Sequence, residues 1–483
     1  MLYYENQLNL GDIYQECSQM FAEQKPEFLQ IMSEYLDIEK YIPYSFKKAF
    51  YANTGRPRSC SLYGYLSALI FQKIFNITSD TLLILILKIS SELRHFCGID
   101  RVPDNSKWTR FKQDFCDYLK EMFIALVDVT EPICQAINPQ LANMISYDTS
   151  CVESYVSENN DKYINATIRR LKAYFKAMNI DKSENDIYSI AYKSMPKTAQ
   201  SDSSIKKMYA NGHFCYGRKF GIITNGLGIP RHIDFFDEQF KQNHADFIFE
   251  DTDEPDYDKT LADSKSLIPM LSDFYAIHPE FKHDDFLGDA AFDAVYIYEY
   301  LLKENSNNVS LFNRAFIPLN SRATSNNEKC PINEDGIPVC PKDNSLKLIS
   351  NGHDQHGKIL RHKWVCPKSK RKGTKLICSC ENPCTDSKYG KVAYTYPSKD
   401  LRLYPGTTRG TDEWNKLYKI RGVVEQSINH IKSNMGIASR KTRNAKTTKA
   451  DVFLAGISQL FTVIIANAMA KPQYIRSLKK LAC

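Results

Sequence analysis

The chain has 483 residues, of which 43% are hydrophobic and 25% are charged, and its formal net charge is +7. This composition excludes an intrinsically disordered protein. The length predicts two or three structural units, whose cores are large enough to fold without disulfide bonds or structural metal ions. The mild positive charge does not by itself establish an anionic partner, so the placement of the basic residues carries more information.

The chain shows no targeting segment. Its first residues, MLYYENQLNLGDIYQEC, lack the basic and apolar regions of a signal peptide. The apolar runs at 82–89 and within 452–469 are too short to span a bilayer. We therefore expect a cytoplasmic, nucleoid-associated bacterial protein with no membrane partner, whose 14 cysteines are reduced.

Residues 1–140 are predicted to be helical. Apolar residues recur at helical spacing in SLYGYLSALIFQKIF and in SDTLLILILKISSELRHF, where Ser79 or Asp80 is the expected N-cap. The stretch PDNSKWTRFKQDFCDYL opens another helix, with Asp104 or Ser106 as its cap.

The pattern then changes to short strands. MISYDTS at 144–150 predicts a buried strand that ends in Asp148, and a polar, basic and partly helical insertion follows at 157–210. Residues 213–237 predict a β-hairpin around the turn signal Asn225-Gly226.

A second acid follows a second strand. Residues 284–304 predict a strand, a turn and a helix, with the strand ending near Asp289. Asp293, one turn further on, is expected to be an exposed acid favoured by the dipole of that helix. The other acids that compete with Asp289 for a functional role are Asp234, Asp237, Asp284 and Asp285.

The stretch YKIRGVVEQSINHIK at 418–432 predicts an amphipathic helix. On a regular helix Tyr418, Arg421, Glu425 and Lys432 fall within a sector of about 60°. The adjacent apolar stripe consists of Val424, Ile428 and Ile431. Helix geometry alone favours a solvated charged face with an i,i+4 ion pair.

The acids at 148 and 289 change that interpretation. Strand ends in α/β sheets are common ligand sites, and Mg²⁺ prefers carboxylate oxygens. Asp148, Asp289 and Glu425 together would suffice for two-metal phosphoryl transfer, with Arg421 and Lys432 near the phosphodiester backbone.

These residues carry a resemblance to a known family. The spacing Tyr-x2-Arg-x3-Glu-x6-Lys in YKIRGVVEQSINHIK resembles the signature of the insertion-sequence-4 family of DDE transposases. ISYDTS and FLGDAAFDA are similar to the family's first and second aspartate segments. The N-terminal region also resembles the helical domain of related transposases.

The resemblance implies an α/β protein with a ribonuclease-H-like core. Asp148, Asp289 and Glu425 would bind two Mg²⁺ or Mn²⁺ ions for strand cleavage at the element's ends and 3′-hydroxyl transfer into target DNA. Arg421 and Lys432 would contact DNA near the cut end beside Tyr418. Synapsis of two terminal inverted repeats implies a homodimer.

The predicted domain organisation has four parts. Residues 1–140 form a helical domain that binds DNA ends, and 141–324 form the first part of the catalytic core. A cysteine-rich β insertion occupies 325–395, where the family carries one, and 396–483 complete the core with the signature helix.

Six of the cysteines fall within that insertion, and their spacing could suit a structural zinc ion. Paired C-x2-C knuckles are absent, so a set of reduced, partly buried thiols is the alternative. Few apolar residues are available there for a core, and a metal would supply the missing stability. The cysteines are Cys330, Cys340, Cys366, Cys378, Cys380 and Cys384.

The basic run SRKTRNAK at 439–446 could extend the DNA-binding surface through Arg440, Lys441 and Arg443, although such runs are also common on solvated surfaces. Two alternatives to an active transposase stay open. One is a transposase-derived DNA-binding protein without catalysis, and the other is a related nuclease that cuts DNA without joining it.

Overall fold

The computed structural model describes residues 26–51, 58–210, 212–247, 261–304, 309–320, 331–333, 335–356, 359–373, 375–396 and 401–480. The chain divides into two compact units. One comprises Met1–Ile133 with His430–Cys483, and the other comprises Cys134–Asn429. The predicted segment 396–483 therefore contributes to both units.

The first unit is helical throughout its described residues, as the sequence predicts for its N-terminal part. Ser79 and Asp104 are the observed N-caps, since their side chains accept hydrogen bonds from the backbone amides of Leu82 and Lys107. The helices are Glu27–Tyr35, Tyr44–Phe50, Leu62–Ile74, Asp80–Ile89, Ser91–Phe96, Asn105–Asp114, Cys116–Ile137 (which ends in the second unit) and Ala445–Ala468, with 3₁₀ turns at Ile38–Tyr41, Pro472–Tyr474 and Leu478–Lys480 and a π-helical segment at His430–Asn434.

The helix Ala445–Ala468 is the central element of this unit. Its 24 residues are apolar enough to cross a membrane by length and composition, so the prediction that this apolar region is too short was wrong. Within its most apolar window, 94% is buried inside the protein. The helix packs against Leu62–Ile74 and Asn105–Asp114, and a helix covered on all sides by neighbours needs no polar face.

A buried network of charges lies beside that helix. Lys73 and Lys112 contact Asp451 at 2.6 and 3.0 Å, and Lys112 also contacts Asp80 at 2.8 Å. Arg440 pairs with Asp80 at 2.7 Å and Asp451 at 3.3 Å. Although burial raises the pKa of Asp80, Lys112 and Arg440 hold it well below its usual range. The network keeps both carboxylates ionised in a nearly dry interior.

The second unit is built on a mixed seven-stranded sheet. The strands are β1 (Met144–Glu153), β2 (Thr198–Ala199), β3 (Asp202–Ala210), β4 (His213–Asn225), β5 (Pro230–Phe235), β6 (Asp285–Leu287) and β7 (Arg314–Phe316). Their order is β2-β3-β4-β1-β6-β7, and β5 also pairs with β4. β1 is antiparallel to β4 and parallel to β6, and β6 is parallel to β7. The predicted hairpin at 213–237 is confirmed as β4 and β5.

Helices cover both faces of this sheet. On one face, Ile145, Tyr147 and Phe286 pack with the helices Asp263–Ile277 and Val295–Leu302. On the other face, Met144, Leu287 and Phe316 pack with Trp414 and Leu417. The remaining helices are Pro139–Ala142, Asp161–Ala177, Glu184–Ser194, Glu238–Asn243, Asp412–Tyr418 and Gly422–Asn429, with 3₁₀ turns at Ser157–Asn159, Ala290–Phe292 and Lys419–Arg421.

The described part of the insertion is made of strands, as predicted. They form a three-stranded sheet, β10-β11-β14, and two hairpins. Four buried residues, Ile337, Leu348, Trp364 and Ala393, make up its hydrophobic cluster. The strands are β8 (Val339–Cys340), β9 (Asp343–Lys347), β10 (Ile349–His356), β11 (Ile359–Val365), β12 (Ser369–Lys372), β13 (Lys375–Cys378) and β14 (Val392–Thr395).

The buried network makes a prediction about stability. Replacing Asp451 by Asn leaves three buried cations facing one carboxylate, and we expect the free energy of unfolding to fall by about 3–5 kcal/mol. Urea denaturation followed by helical circular dichroism measures this change. The matched control is Asp114→Asn, an exposed acid on the helix that carries Lys112, which should change stability by less than about 0.5 kcal/mol. Equal losses in the two variants would contradict the role of the network.

Candidate active site

The first acid of the site lies within the central strand of the sheet. β1 continues to Glu153, so the prediction that this strand ends in Asp148 was wrong. Side chains alternate along β1, so Asp148 shares a face with Met144, which packs against Trp414 and Leu417. The Asp148 side chain is 20% exposed and accepts a hydrogen bond from the amide of Thr149 at 2.8 Å. The acid is thus fixed on the face that carries the signature helix.

The second acid lies beside the first because of strand register. The last parallel pair between β1 and β6 is Ser146 with Leu287, and Asp148 and Asp289 each follow two residues later. Asp289 caps the turn Ala290–Phe292 by accepting a hydrogen bond from the amide of Ala291 at 2.8 Å. The prediction that the strand ends close to Asp289 is confirmed.

The third acid comes from the signature stretch. Trp414 anchors this stretch to the sheet, and Tyr418 stacks on it with ring centroids 4.6 Å apart. A 3₁₀ turn at Lys419–Arg421 precedes the helix Gly422–Asn429, in which Val424 and Ile428 are buried and Glu425 is exposed. The apolar stripe predicted from the sequence is therefore confirmed over these residues.

The predicted regular helix does not continue to Lys432. Lys432 lies in the π-helical segment His430–Asn434, which belongs to the other compact unit, and its residue is only 9% exposed. Because 3₁₀ and π turns change the rotation per residue, the 60° sector calculated for a regular helix does not describe this stretch.

One guanidinium contacts all three acids. Nη2 of Arg421 lies 3.3 Å from Oδ2 of Asp148 and 3.5 Å from Oδ2 of Asp289, and Nη1 donates a short hydrogen bond to Oε1 of Glu425. The Arg421 side chain is 16% exposed. The Arg421–Glu425 pair is thus more than a surface i,i+4 contact, since the same arginine joins acids from three separate elements.

Two of the acids, Asp148 and Asp289, are costly to ionise where they lie. Burial raises the pKa of Asp148 to about 6, against the opposing effect of Arg421, and repulsion from Asp289 and Asp263 adds to the increase. Burial also raises the pKa of Asp289, again against Arg421. Carboxylates that are costly to ionise together favour a nearby cation of higher charge.

A fourth acid belongs to the same neighbourhood, and the sequence analysis missed it. Asp263 begins the helix Asp263–Ile277, accepts a hydrogen bond from Oγ1 of Thr149 and contacts Nζ of Lys219 at 2.6 Å. Asp263, Lys219 and Asp148 line one cavity. A helix-initiating aspartate is a common pattern, so only the tertiary contacts distinguish this one.

The prediction that Asp293 is an exposed acid was wrong. Its side chain is fully buried, pairs with Arg402 at 2.7 Å and accepts hydrogen bonds from the Tyr298 hydroxyl and the amide of Asn320. The helix begins only at Val295, so a first-turn position was not available. Asp293 therefore has a structural role.

The other competing acids have structural partners. Asp285 is buried and pairs with Arg314 at 2.7 Å, and Asp284 accepts a hydrogen bond from the Asn313 amide group. Asp237 caps the helix Glu238–Asn243. Asp234 lies close to His232 and Asp273. These three residues form one of two groups in the described part of the chain whose possible metal-ligand atoms lie within 4.8 Å of one another. The other group is Glu153, His213 and Cys215.

Arg440 is buried in the charge network, which contradicts its predicted contact with DNA. Its guanidinium pairs with Asp80 and Asp451 and donates a hydrogen bond to Gln72. These contacts are buried, so the guanidinium is not accessible to a DNA phosphate. Its neighbours Lys441 and Arg443 are exposed. The basic run at 439–446 therefore contains one buried structural residue, Arg440, and three exposed ones, Lys441, Arg443 and Lys446.

The donor set suits a divalent metal. Asp148, Asp289 and Glu425 offer only carboxylate oxygens, the ligand type preferred by Mg²⁺ and Mn²⁺, and they face a single arginine. The three acids exceed that arginine by two negative charges, which a divalent ion would balance. The residues present therefore fit the metal site that the sequence predicts.

One family model matches part of the chain, and its description is that of a transposase domain. Residues 16–114, about a fifth of the chain, match the family model described as Transposase domain (DUF772). No curated protein matches the chain. The match supports a transposase, and with it an enzyme of the nuclease or transferase class.

The raised pKa of Asp148 makes a prediction about stability. The native carboxyl binds its proton more tightly than the unfolded one, so ionisation lowers native stability as the pH rises from about 4 to about 6, and the loss persists above that window. Asp148→Asn should therefore be more stable than the wild type at pH 7.5 in EDTA by roughly 1–3 kcal/mol, and equal to it near pH 4.

Denaturation midpoints of both proteins across pH 4–8 measure this difference. Asp412→Asn, an exposed acid in the first turn of the helix Asp412–Tyr418, is the matched control and should show no such window. A variant that is less stable than the wild type at pH 7.5 would show that the Arg421 contact outweighs the cost of burial.

Proposed function

We propose that the protein is a DDE transposase that cuts DNA at the ends of an insertion sequence and joins the freed 3′ hydroxyl to target DNA. The observation that supports this proposal is the convergence of Asp148, Asp289 and Glu425 on the Arg421 guanidinium. The acids come from a strand, a turn and a helix that are distant in sequence. The transposase-domain match is independent support, because it covers a different part of the chain.

The strand order supports a ribonuclease-H-like core. The strands β5, β4 and β1 are antiparallel neighbours, and β1, β6 and β7 are parallel. The central strand β1 carries Asp148, and its parallel neighbour leads directly into Asp289. Asp289 follows the end of β6, and Asp148 lies just beyond the last parallel pair of β1, on the side of the sheet where α/β proteins commonly place ligand groups.

In this proposal the three acids are the metal ligands. Mg²⁺ or Mn²⁺ ions bound there would supply Lewis-acid stabilisation of the attacking and leaving oxygens of the phosphodiester. Arg421 offsets part of the negative charge of the acids in the protein alone, and its guanidinium is a donor suited to a DNA phosphate. Thr149 and Lys219 hold Asp263 in place beside Asp148, where the carboxylate adds to the raised pKa of Asp148 and the Lys219 ammonium offsets part of its charge.

The decisive experiment compares wild type with Glu425→Gln on a DNA duplex carrying the sequence that flanks the coding region, with Mg²⁺ or Mn²⁺. The variant keeps the size of the side chain and removes its charge. We expect cleavage and joining to fall by about 100-fold or more, because several kcal/mol of transition-state stabilisation is lost. The control Asp412→Asn removes a charge from the preceding helix and should retain activity.

The possible results of this experiment distinguish the transposase from the two alternative classes of protein. Cutting without joining of a pre-cut 3′ end would indicate a nuclease, and binding without cutting would indicate a DNA-binding derivative. Cutting that survives Glu425→Gln would exclude Glu425 as a metal ligand and overturn the proposed site.

DNA binding generates a further prediction. We propose that Lys441 and Arg443 contact phosphates, and each alanine substitution should reduce the slope of log affinity against log salt by about one. Arg440→Ala should instead lower stability, since it breaks a buried charge pair. Lys48→Ala, an exposed lysine of the same compact unit, is the control for a general charge effect. Slopes unchanged by Lys441→Ala and Arg443→Ala would remove these residues from the interface.

A further inference from the structure

The insertion gathers its cysteines in one place. Residues of the turn after β8, the turn after β11 and the loop after β13 line a single cavity. Five thiols face it, although their positions span 45 residues of sequence. They are Cys340, Cys366, Cys378, Cys380 and Cys384. Cys330 lies outside the described residues.

Two of the thiols are presented by the same sequence. VCPK occurs at 339–342 and again at 365–368, each time at the end of a strand. Cys340 and Cys366 are 6% and 5% exposed, and a proline follows each of them. The repeated turn therefore places one buried thiol at the same point of two separate strand ends.

The third segment is fastened to both turns. Nζ of Lys342 donates hydrogen bonds to Oδ1 of Asn382 and the carbonyl of Pro383, and the amide of Ser379 donates to the carbonyl of Lys368. Burial raises the pKa of the Cys384 thiol, and the neighbouring Cys340 and Cys366 thiols add to the increase, as expected for thiols that lie close together. Side chains and backbone thus bring the half-buried thiols of the loop to the buried pair.

The surroundings suit a charged metal–thiolate group. Lys342, Lys368 and Lys391 line the same cavity. A zinc ion with four thiolates carries two negative charges, and nearby ammonium groups offset them. The described cysteines form no disulfides, so the thiols are chemically available. Among the described residues of the insertion, the hydrophobic cluster has four members, so a metal would supply stability that so small a core lacks.

We infer that the insertion binds one structural zinc ion through Cys340, Cys366, Cys384 and one of Cys378 and Cys380. No three of these five thiols have their sulfur atoms within 4.8 Å of one another, so zinc binding would have to draw the 378–384 loop onto the buried pair. This site is separate from the carboxylate site, because soft thiolates select zinc whereas carboxylates select magnesium. It does not depend on the proposed catalytic function.

The test measures the metal content of the full-length protein and the spectrum of its cobalt form. We expect about one zinc per chain after dialysis against excess Mg²⁺, and Co²⁺ substitution should give the strong thiolate charge-transfer and visible bands of a tetrahedral site. Cys384→Ser, a change at a half-buried position, should lower zinc content at least about 10-fold. Cys378→Ser and Cys380→Ser identify the fourth ligand, since only one of them should do the same.

Two controls separate this site from the others. Cys116→Ala changes a buried thiol of the other compact unit and should keep the zinc, and Glu425→Gln should also keep it. Removing the metal with a chelator should increase proteolysis within 335–396 while leaving the remainder of the chain resistant. Protein without zinc, zinc that survives Cys384→Ser, or a cobalt spectrum without thiolate bands would overturn the inference.

Discussion

The second unit depends on one electrostatic constraint, the cost of burying two carboxylates that strand register places side by side, to which their mutual repulsion adds. Asp148 and Asp289 follow the last paired residues of two adjacent parallel strands, so the sheet cannot form without bringing them together. Arg421 offsets this repulsion and links both acids to Glu425. Packing of Trp414 and Leu417 holds the helix Asp412–Tyr418 on the sheet, and Arg421, in the turn that follows this helix, supplies the positive charge that faces the acids.

Features set by local pattern were predictable from the sequence. The short apolar run in MISYDTS identified β1, and the runs on either side of Asn225-Gly226 identified β4 and β5. The three acids were singled out because Asp148 ends that apolar run, Asp289 follows a second strand and Glu425 lies on a helix edge, where short-range pattern and spacing are informative. The helical N-terminal part and the β structure of the insertion follow from the same kind of signal.

Features set by long-range contacts were not predictable. Asp293 looks like a helix-initiating acid in the sequence, but Arg402, which lies 109 residues away, holds it in the interior. Arg440 looks like part of a basic surface run, but Asp80 and Asp451 remove it from solvent. Asp263 carries no motif, and its place beside Asp148 depends on Thr149 and Lys219. In each case the role of the residue depends on a side chain that is distant in sequence. A single sequence does not show which distant side chains come into contact.

Three of the chain's clusters of ionisable side chains differ in how fully the opposite charges within the chain compensate them. In the helical unit, Asp80 and Asp451 are fully matched by cations of the chain, which is the signature of a structural network. At the sheet edge, Arg421 alone faces three acids, so the compensation within the chain is incomplete. In the insertion, lysines surround thiols that would become anionic on binding a metal. Incomplete compensation is costly for a protein that only has to fold, because it lowers stability without adding contacts. Incomplete compensation at the sheet edge is what we expect of the metal site that we propose, and it is not expected of an ion pair that serves only to stabilise the fold.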